Sequence, residues 1–272
     1  MPASRIRRVA LPLSVLPLLA AAACGGGSDG PAPQPTAGAA PVLLLVTNDD
    51  GVDAPGIDAL ARRLSRLPGV TVRIVAPAKD SSGTGGRTTD GPLASAPART
   101  ASGLEATSVQ GFPADTIRVA LDDLRLQPAF VVSGANRGQN VGPIAAISGT
   151  VGAARAAAQR GVPALAVSSG TPDGGEAYDY DVAADLATGE VEKVLPALRG
   201  SGPRPDTETV VNLNVPSCEA GAVRGVQELP PSTTPDLDAL KASNCTSTAP
   251  PSDEVQSYLD GFAVLTRLPA RA

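Results

Sequence analysis

Asp49 and Asp50 stand side by side in the stretch VLLLVTNDDGVDAPG, Val42 to Gly56. Adjacent carboxylates repel, so a fold that holds both in one tight turn generally offers them a cation. A solvated loop with a helix-capping aspartate is the plainer alternative for the pair alone. Further oxygen donors recur in two later polar loops, Ser81 and Ser82 in one and Ser133, Asn136 and Asn140 in the other. Two carboxylates with hydroxyl and amide oxygens form a hard ligand set suited to magnesium, manganese or calcium. The acids are not spaced D-x-D-x-D-G, which excludes an EF-hand. Ser148-Gly149-Thr150 heads an alanine-rich segment, where helix N–H groups and the positive dipole end could seat a phosphate. Ser148 could equally serve only as an N-cap. A cation site and an anion site on one rim point to a phosphate ester.

Composition narrows the chemistry further. The 272 residues contain no histidine, which removes Ser-His-Asp and Cys-His catalysis, His-ligated zinc and histidine bases together. Carboxylates, hydroxyls, amides, lysine, arginine or water activated by a metal must do the work. A net charge of −5 argues against a grip on nucleic-acid phosphates, and no basic, aromatic stretch suggests base stacking. With 2% aromatic residues against 42% apolar ones, the core must be aliphatic.

The elements that would position these residues alternate along the chain. Val42 to Val46 has the length of a strand buried on both faces. Gly51 permits a sharp turn, and Pro55-Gly56 opens a helix with Ile57, Leu60, Ala61, Leu64 and Leu67 on one face, ended by Pro68-Gly69. Strands are predicted at Val70 to Val75, Ala129 to Val132, Ala164 to Val167 and Thr209 to Val215, with hairpin strands near Leu104 to Val109. Helices are predicted from Pro113, from Ser148 to the C-cap Gly161, and from Asp181 to Leu198. Beyond Pro216 the pattern breaks until a last strand, Phe262 to Thr266. Such alternation predicts an α/β, Rossmann-like fold, a mostly parallel sheet with helices on both faces. The three oxygen-rich loops would then share the carboxyl edge of the sheet, where such folds bind ligands.

Residues 1–23 read as a signal: Arg5, Arg7 and Arg8, then the apolar Val9 to Ala23, too short and proline-broken to span a membrane comfortably. Ala21-Ala22-Ala23-Cys24 resembles a bacterial lipoprotein site with Cys24 lipidated, and residues 24–41 form a Gly/Pro/Ser tether. An ordinary cleaved secretory signal remains open. Residues 42–216 form the core and 217–272 a C-terminal extension. Cys218 and Cys245, the remaining cysteines, either bridge in an oxidising compartment or stay as two thiols.

The blocks TNDDGVDAPGI, APAKDSSG, VVSGANRGQNVG, ISGTVGAA, VPALAVS and VNLNVP resemble, in order, those of SurE-type 5′-nucleotidases, the stationary-phase survival proteins. The resemblance covers roughly Val42 to Pro216. It implies one divalent metal ion, magnesium or manganese, held by Asp49, Asp50, Ser82 and Asn136. It further implies Asn48, Asn140, Ser148 and Thr150, with Gly149 between the last two, around the phosphate. Asp49 and Asp50 would be the catalytic acids; Asp49, first in the turn, is the better candidate to position water, but the sequence does not rank the two. The implied activity is metal-dependent removal of phosphate from nucleoside 5′-monophosphates, a phosphoric monoester hydrolase of the acid-phosphatase type. A homodimer or homotetramer through the C-terminal arm is implied too, with no nucleic-acid polymer as partner and membrane contact only through lipid. The chain departs from the pattern at Pro143 and Ile144, where aspartates are usual, and at Ile147, where tyrosine is usual. Ala78 replaces an aspartate, Arg87 a small polar residue and Asp53 a frequent histidine. These changes leave a second reading: an exported lipoprotein that binds metal and phosphate without turnover.

Overall fold

Strand β1, Val42–Thr47, runs through the middle of the sheet, and its side chains alternate between two cores. Leu44 and Val46 join one apolar cluster, while Leu45 joins the other. The computed structural model describes residues 41–271 apart from Glu176 and Asp236. The signal at 1–23, the lipid site at Cys24 and nearly all of the tether lie outside the described residues.

Chain order continues with α1 (Pro55–Leu64), β2 (Val70–Pro77), the hairpin β3 (Ser95–Arg99) and β4 (Glu105–Val109), and α2 (Pro113–Arg118). Then come β5 (Phe130–Arg137), α3 (Gly149–Gln159), β6 (Ala164–Ser169), α4 (Tyr180–Leu198) and β7 (Thr209–Val215). The last elements are β8 (Val226–Glu228), α5 (Glu254–Leu259) and β9 (Ala263–Pro269). They form one nine-stranded sheet in the order β3-β4-β2-β1-β5-β6-β7-β9-β8. Pairing is parallel except between β3 and β4 and between β7 and β9. The fold is therefore α/β with a mostly parallel sheet, as predicted.

Helices α1 and α4 cover one face through Ile57, Leu60, Ala187 and Val191. Helices α2 and α3 cover the other through Ile117, Ala153, Ala154 and Ala157. The alanines of α3 bring that helix close to the strands, so an aliphatic core fills without aromatic bulk. From β1 the chain steps to β2 on one side, and β5 lies on the other side. This β1/β5 junction is the topological switch point, where open α/β sheets place their ligands.

Three boundaries differ from the sequence reading. Helix α1 ends at Leu64, because the next N–H groups, of Arg66 and Leu67, bond three residues back to the Arg63 and Leu64 carbonyls at 3.1 Å and tighten the last turn. Strand β5 continues past Val132 to Arg137, with a register shift between Ser133 and Asn136, because β6 supplies partners at Ser168 and Ser169. The segment after Pro216 carries more structure than its sequence suggests. Strand β9 pairs with β7 from Thr209↔Pro269 to Asn214↔Val264. A short 3-10 turn, Leu237–Leu240, and α5 build a third small core in which Val141, Ala239, Val255, Tyr258 and Val264 meet. Cys218 and Cys245 are joined in a disulfide across this segment, with Cα atoms 5.7 Å apart.

Candidate active site

The turn after β1 sets the two acids. Gly51 takes φ +108°, and Asn48 Nδ2 donates to its carbonyl at 2.7 Å, closing the turn. Asp49 is only 2% exposed, and its Oδ1 accepts from Thr150 Oγ1 at 2.6 Å. The Thr150 N–H also points at this carboxylate, so the acid itself occupies the start of α3. Gly149 permits that approach: a Cβ there would lie 2.8 Å from the Cβ of Asp49. Asp50 faces the end of β5 and accepts from the Arg137 N–H at 3.0 Å.

The second and third loops bring neutral oxygens and further charge. Ser82 donates its N–H and hydroxyl to Asp80 Oδ1, at 2.8 and 2.7 Å. The Arg137 guanidinium reaches to 4.0 Å from the same aspartate. Asn136 turns Nδ2 to the Gly138 carbonyl at 2.6 Å, which leaves Oδ1 as its outward donor to a cation. Asn140 is held on several sides. Its Nδ2 donates to Ser168 Oγ at 2.9 Å and its N–H to Asn214 Oδ1 at 2.6 Å, while its carbonyl accepts from Asn212 and Asn214.

Asp49, Ser82, Asn136, Asn140 and Ser148 line one cavity of about 300 Å³, together with Arg137, Ile144, Ile147 and Leu240. Asp50 sits beside it through Arg137. Asn48, Gly149 and Thr150 are buried, and Thr150 spends its hydroxyl on Asp49. Ser148 caps α3 by accepting the Val151 N–H at 3.2 Å. Three larger clefts, about 620, 600 and 490 Å³, contain neither the paired acids nor the oxygen-rich loops.

Burial raises both carboxyls. Asp49 is pushed above the usual aspartate value by desolvation, against the Thr150 hydrogen bond. Asp50 is pushed up to about 7, first by burial and then by the charge of Asp49. Among the described residues, no three acidic, histidine or cysteine side chains are grouped to hold a metal. Two crowded carboxylates completed by the Asn136 amide oxygen and the Ser82 hydroxyl still fit a hard divalent cation. The charges also set a pH dependence. The folded state keeps a proton on Asp50 that the unfolded chain, with a reference value of 3.8, has released. Metal-free stability should therefore be highest below about 4 and fall as pH rises through about 7, because N then binds more protons than U. Denaturant midpoints at pH 5 and pH 8 check this, and saturating manganese should reverse the trend.

Sequence reasoning did not single out Asp80, Arg137, Asn212 or Asn214. The signal for the last two was present in VNLNVP. Two buried amides at i and i+2 on a mostly apolar strand need partners, and both find the Asn140 backbone. Asn214→Leu should leave the buried Asn140 N–H unpaired and cost about 1–3 kcal/mol in urea unfolding.

Residues 44–234 match the family model described as Survival protein SurE. The chain is 40% identical over 188 residues to the 5′-nucleotidase SurE of Symbiobacterium thermophilum, covering 68% of this chain and 70% of that protein. It is likewise 40% identical over 192 residues to the 5′-nucleotidase SurE of Moorella thermoacetica, covering 68% of each. Among solved structures, the SurE protein from Aquifex aeolicus superposes with a TM-score of 0.65 at 24% identity, over 84% of this chain and 93% of that one, a likeness of fold.

Proposed function

The chain belongs to the survival protein SurE family, and from that membership we propose that it is a divalent-metal-dependent phosphomonoesterase acting on nucleoside 5′-monophosphates. The observation that carries the reading is the pair of a buried Asp49 and a half-buried Asp50 at the sheet's switch point, beside a cavity lined by Ser82, Asn136 and Asn140. Asp49, Asp50, Ser82 and Asn136 would hold one magnesium or manganese ion. When bound, such an ion supplies positive charge to the phosphoryl oxygens and lowers the pKa of water.

The protein's own residues do the rest. Thr150 fixes Asp49 so that the acid can position the attacking water. Arg137, whose side chain is largely exposed at the cavity, offers a cation to the phosphate dianion. Asn140 is held in place by β7 for the phosphate end. Colorimetric phosphate release from a panel of nucleotides, with and without manganese, tests the proposal. Absence of metal-stimulated release from every ester would favour the binding-only reading, which draws its support from Ile144 and Ile147 standing in the cavity.

Export through residues 1–23, with a lipid on Cys24 and a tether to about Pro41, is part of the same proposal, as is assembly into a homodimer or homotetramer. Cys24→Ser should move the protein from the membrane to the soluble fraction. A wild type already soluble after detergent-free lysis would count against the anchor.

A further inference from the structure

The cavity lined by the oxygen donors also has an apolar part. Ile144, Ile147 and Leu240 line it together with those donors, with no aromatic ring and no amide among the three. Ile147 is 62% exposed and Leu240 59%, a large apolar area to leave facing water beside a polar cleft. Leu240 comes from the C-terminal segment, some 100 residues away from the loop it meets. Its place is nevertheless set closely. Gln139 Nε2 donates to the carbonyl before it, Ala239, at 2.9 Å, and to the carbonyl after it, Lys241, at 3.1 Å. The same amide accepts the Thr171 N–H at 2.9 Å, tying the segment to the loop after β6. Ala239 is fully buried in the small core that also contains Val141, and the disulfide at Cys245 anchors the chain just beyond. A backbone held on both sides of an outward-facing leucine presents that leucine in one position.

We propose that Leu240, with Ile144 and Ile147, is the specificity wall of this site, receiving the organic part of the phosphate ester by apolar contact. The inference rests on the phosphomonoesterase reading and adds its substrate class. With phosphate at the acids, these three side chains are the apolar surface that the cavity offers the leaving group; Gln139 shares the lining but spends its amide on the Ala239 and Lys241 carbonyls and the Thr171 N–H. A wall without donors or acceptors cannot read the edge of a base, and it disfavours a leaving group whose hydroxyls would lose water there without a partner. Esters whose leaving group includes a flat or aliphatic apolar part, an aryl ring or the base of a nucleoside, are therefore favoured over glycerol phosphate and the phosphates of free sugars, which have none. The four common nucleoside monophosphates should be accepted almost alike.

Steady-state kinetics of full-length Leu240→Ser, and of Ile147→Ser as a second exposed variant, decide the matter. The expected result is a KM for 4-nitrophenyl phosphate and for AMP raised about 5-fold, less than an enclosed methylene gives because the wall is half open. The kcat and the inhibition constant of inorganic phosphate, which has no organic part, stay unchanged. An active wild type whose variants keep the same KM overturns the proposal alone, as does a KM that moves together with phosphate inhibition. A wild type that releases no phosphate from any ester overturns the parent reading and this one with it. Variants that change only the particle mass in light scattering assign the leucine to contact between copies, which also overturns it.

Discussion

Asp50→Asn should slow metal-stimulated phosphate release by about 10³-fold, the several kcal/mol expected when a metal loses a charged ligand. Titration calorimetry with manganese should show a matching loss of affinity, because charge dominates the binding of a hard cation. Asp49→Asn should do the same and also weaken the bond from Thr150, since a carboxylate accepts more strongly than an amide. Ser82→Ala should be milder, as the hydroxyl is neutral and already shared with Asp80. The two acids crowd each other in a buried turn, so Asp50→Asn relieves a repulsion. The metal-free variant should be at least as stable as the wild type at pH 8, which separates lost function from lost folding. Unchanged manganese affinity would sink the assignment of the acids.

Replacing both Cys218 and Cys245 by serine should lower stability by roughly 3–4 kcal/mol, the chain-entropy value for a closed loop of this size. The bond spans 27 residues and fastens the segment that carries the 3-10 turn to the region after β7. Urea unfolding with and without the pair gives the number. Intact-mass measurement after alkylation without reductant should find neither thiol modified in exported protein, and two modified thiols would mean that no bridge forms there. Loss of the bridge should also loosen Leu240 and raise KM in the same direction as Leu240→Ser.

Much of the architecture was legible from local patterns. The run at Val42, the helix-spaced leucines of α1 and the alternation through β7 depend on periodicities that neighbouring residues already express. From them came the parallel sheet, and from the sheet came the shared edge of the three loops. The paired acids were legible because two adjacent carboxylates before a glycine are chemically conspicuous wherever they occur. The block of motifs supplied the family. The zero histidine count excluded whole classes of mechanism without any structure.

What the chain could not declare locally was decided by contacts distant in sequence. Thr150 looked like a phosphate donor at a helix start, yet Asp49 reaches that start first, over 101 residues, because Gly149 leaves room for it. The irregular stretch after Pro216 has little periodicity to read, since its order comes from β9 adding to β7 and from Ala239 packing on Val141. Leu240 enters the cavity for the same reason, through Gln139 and a segment closed by a disulfide. Sequence alone thus determined which chemical groups the protein owns and which sheet presents them. Tertiary structure decided which of those groups face the cavity and which are spent holding the others, because a hydrogen bond or an apolar contact is settled by proximity in space, not by spacing along the chain.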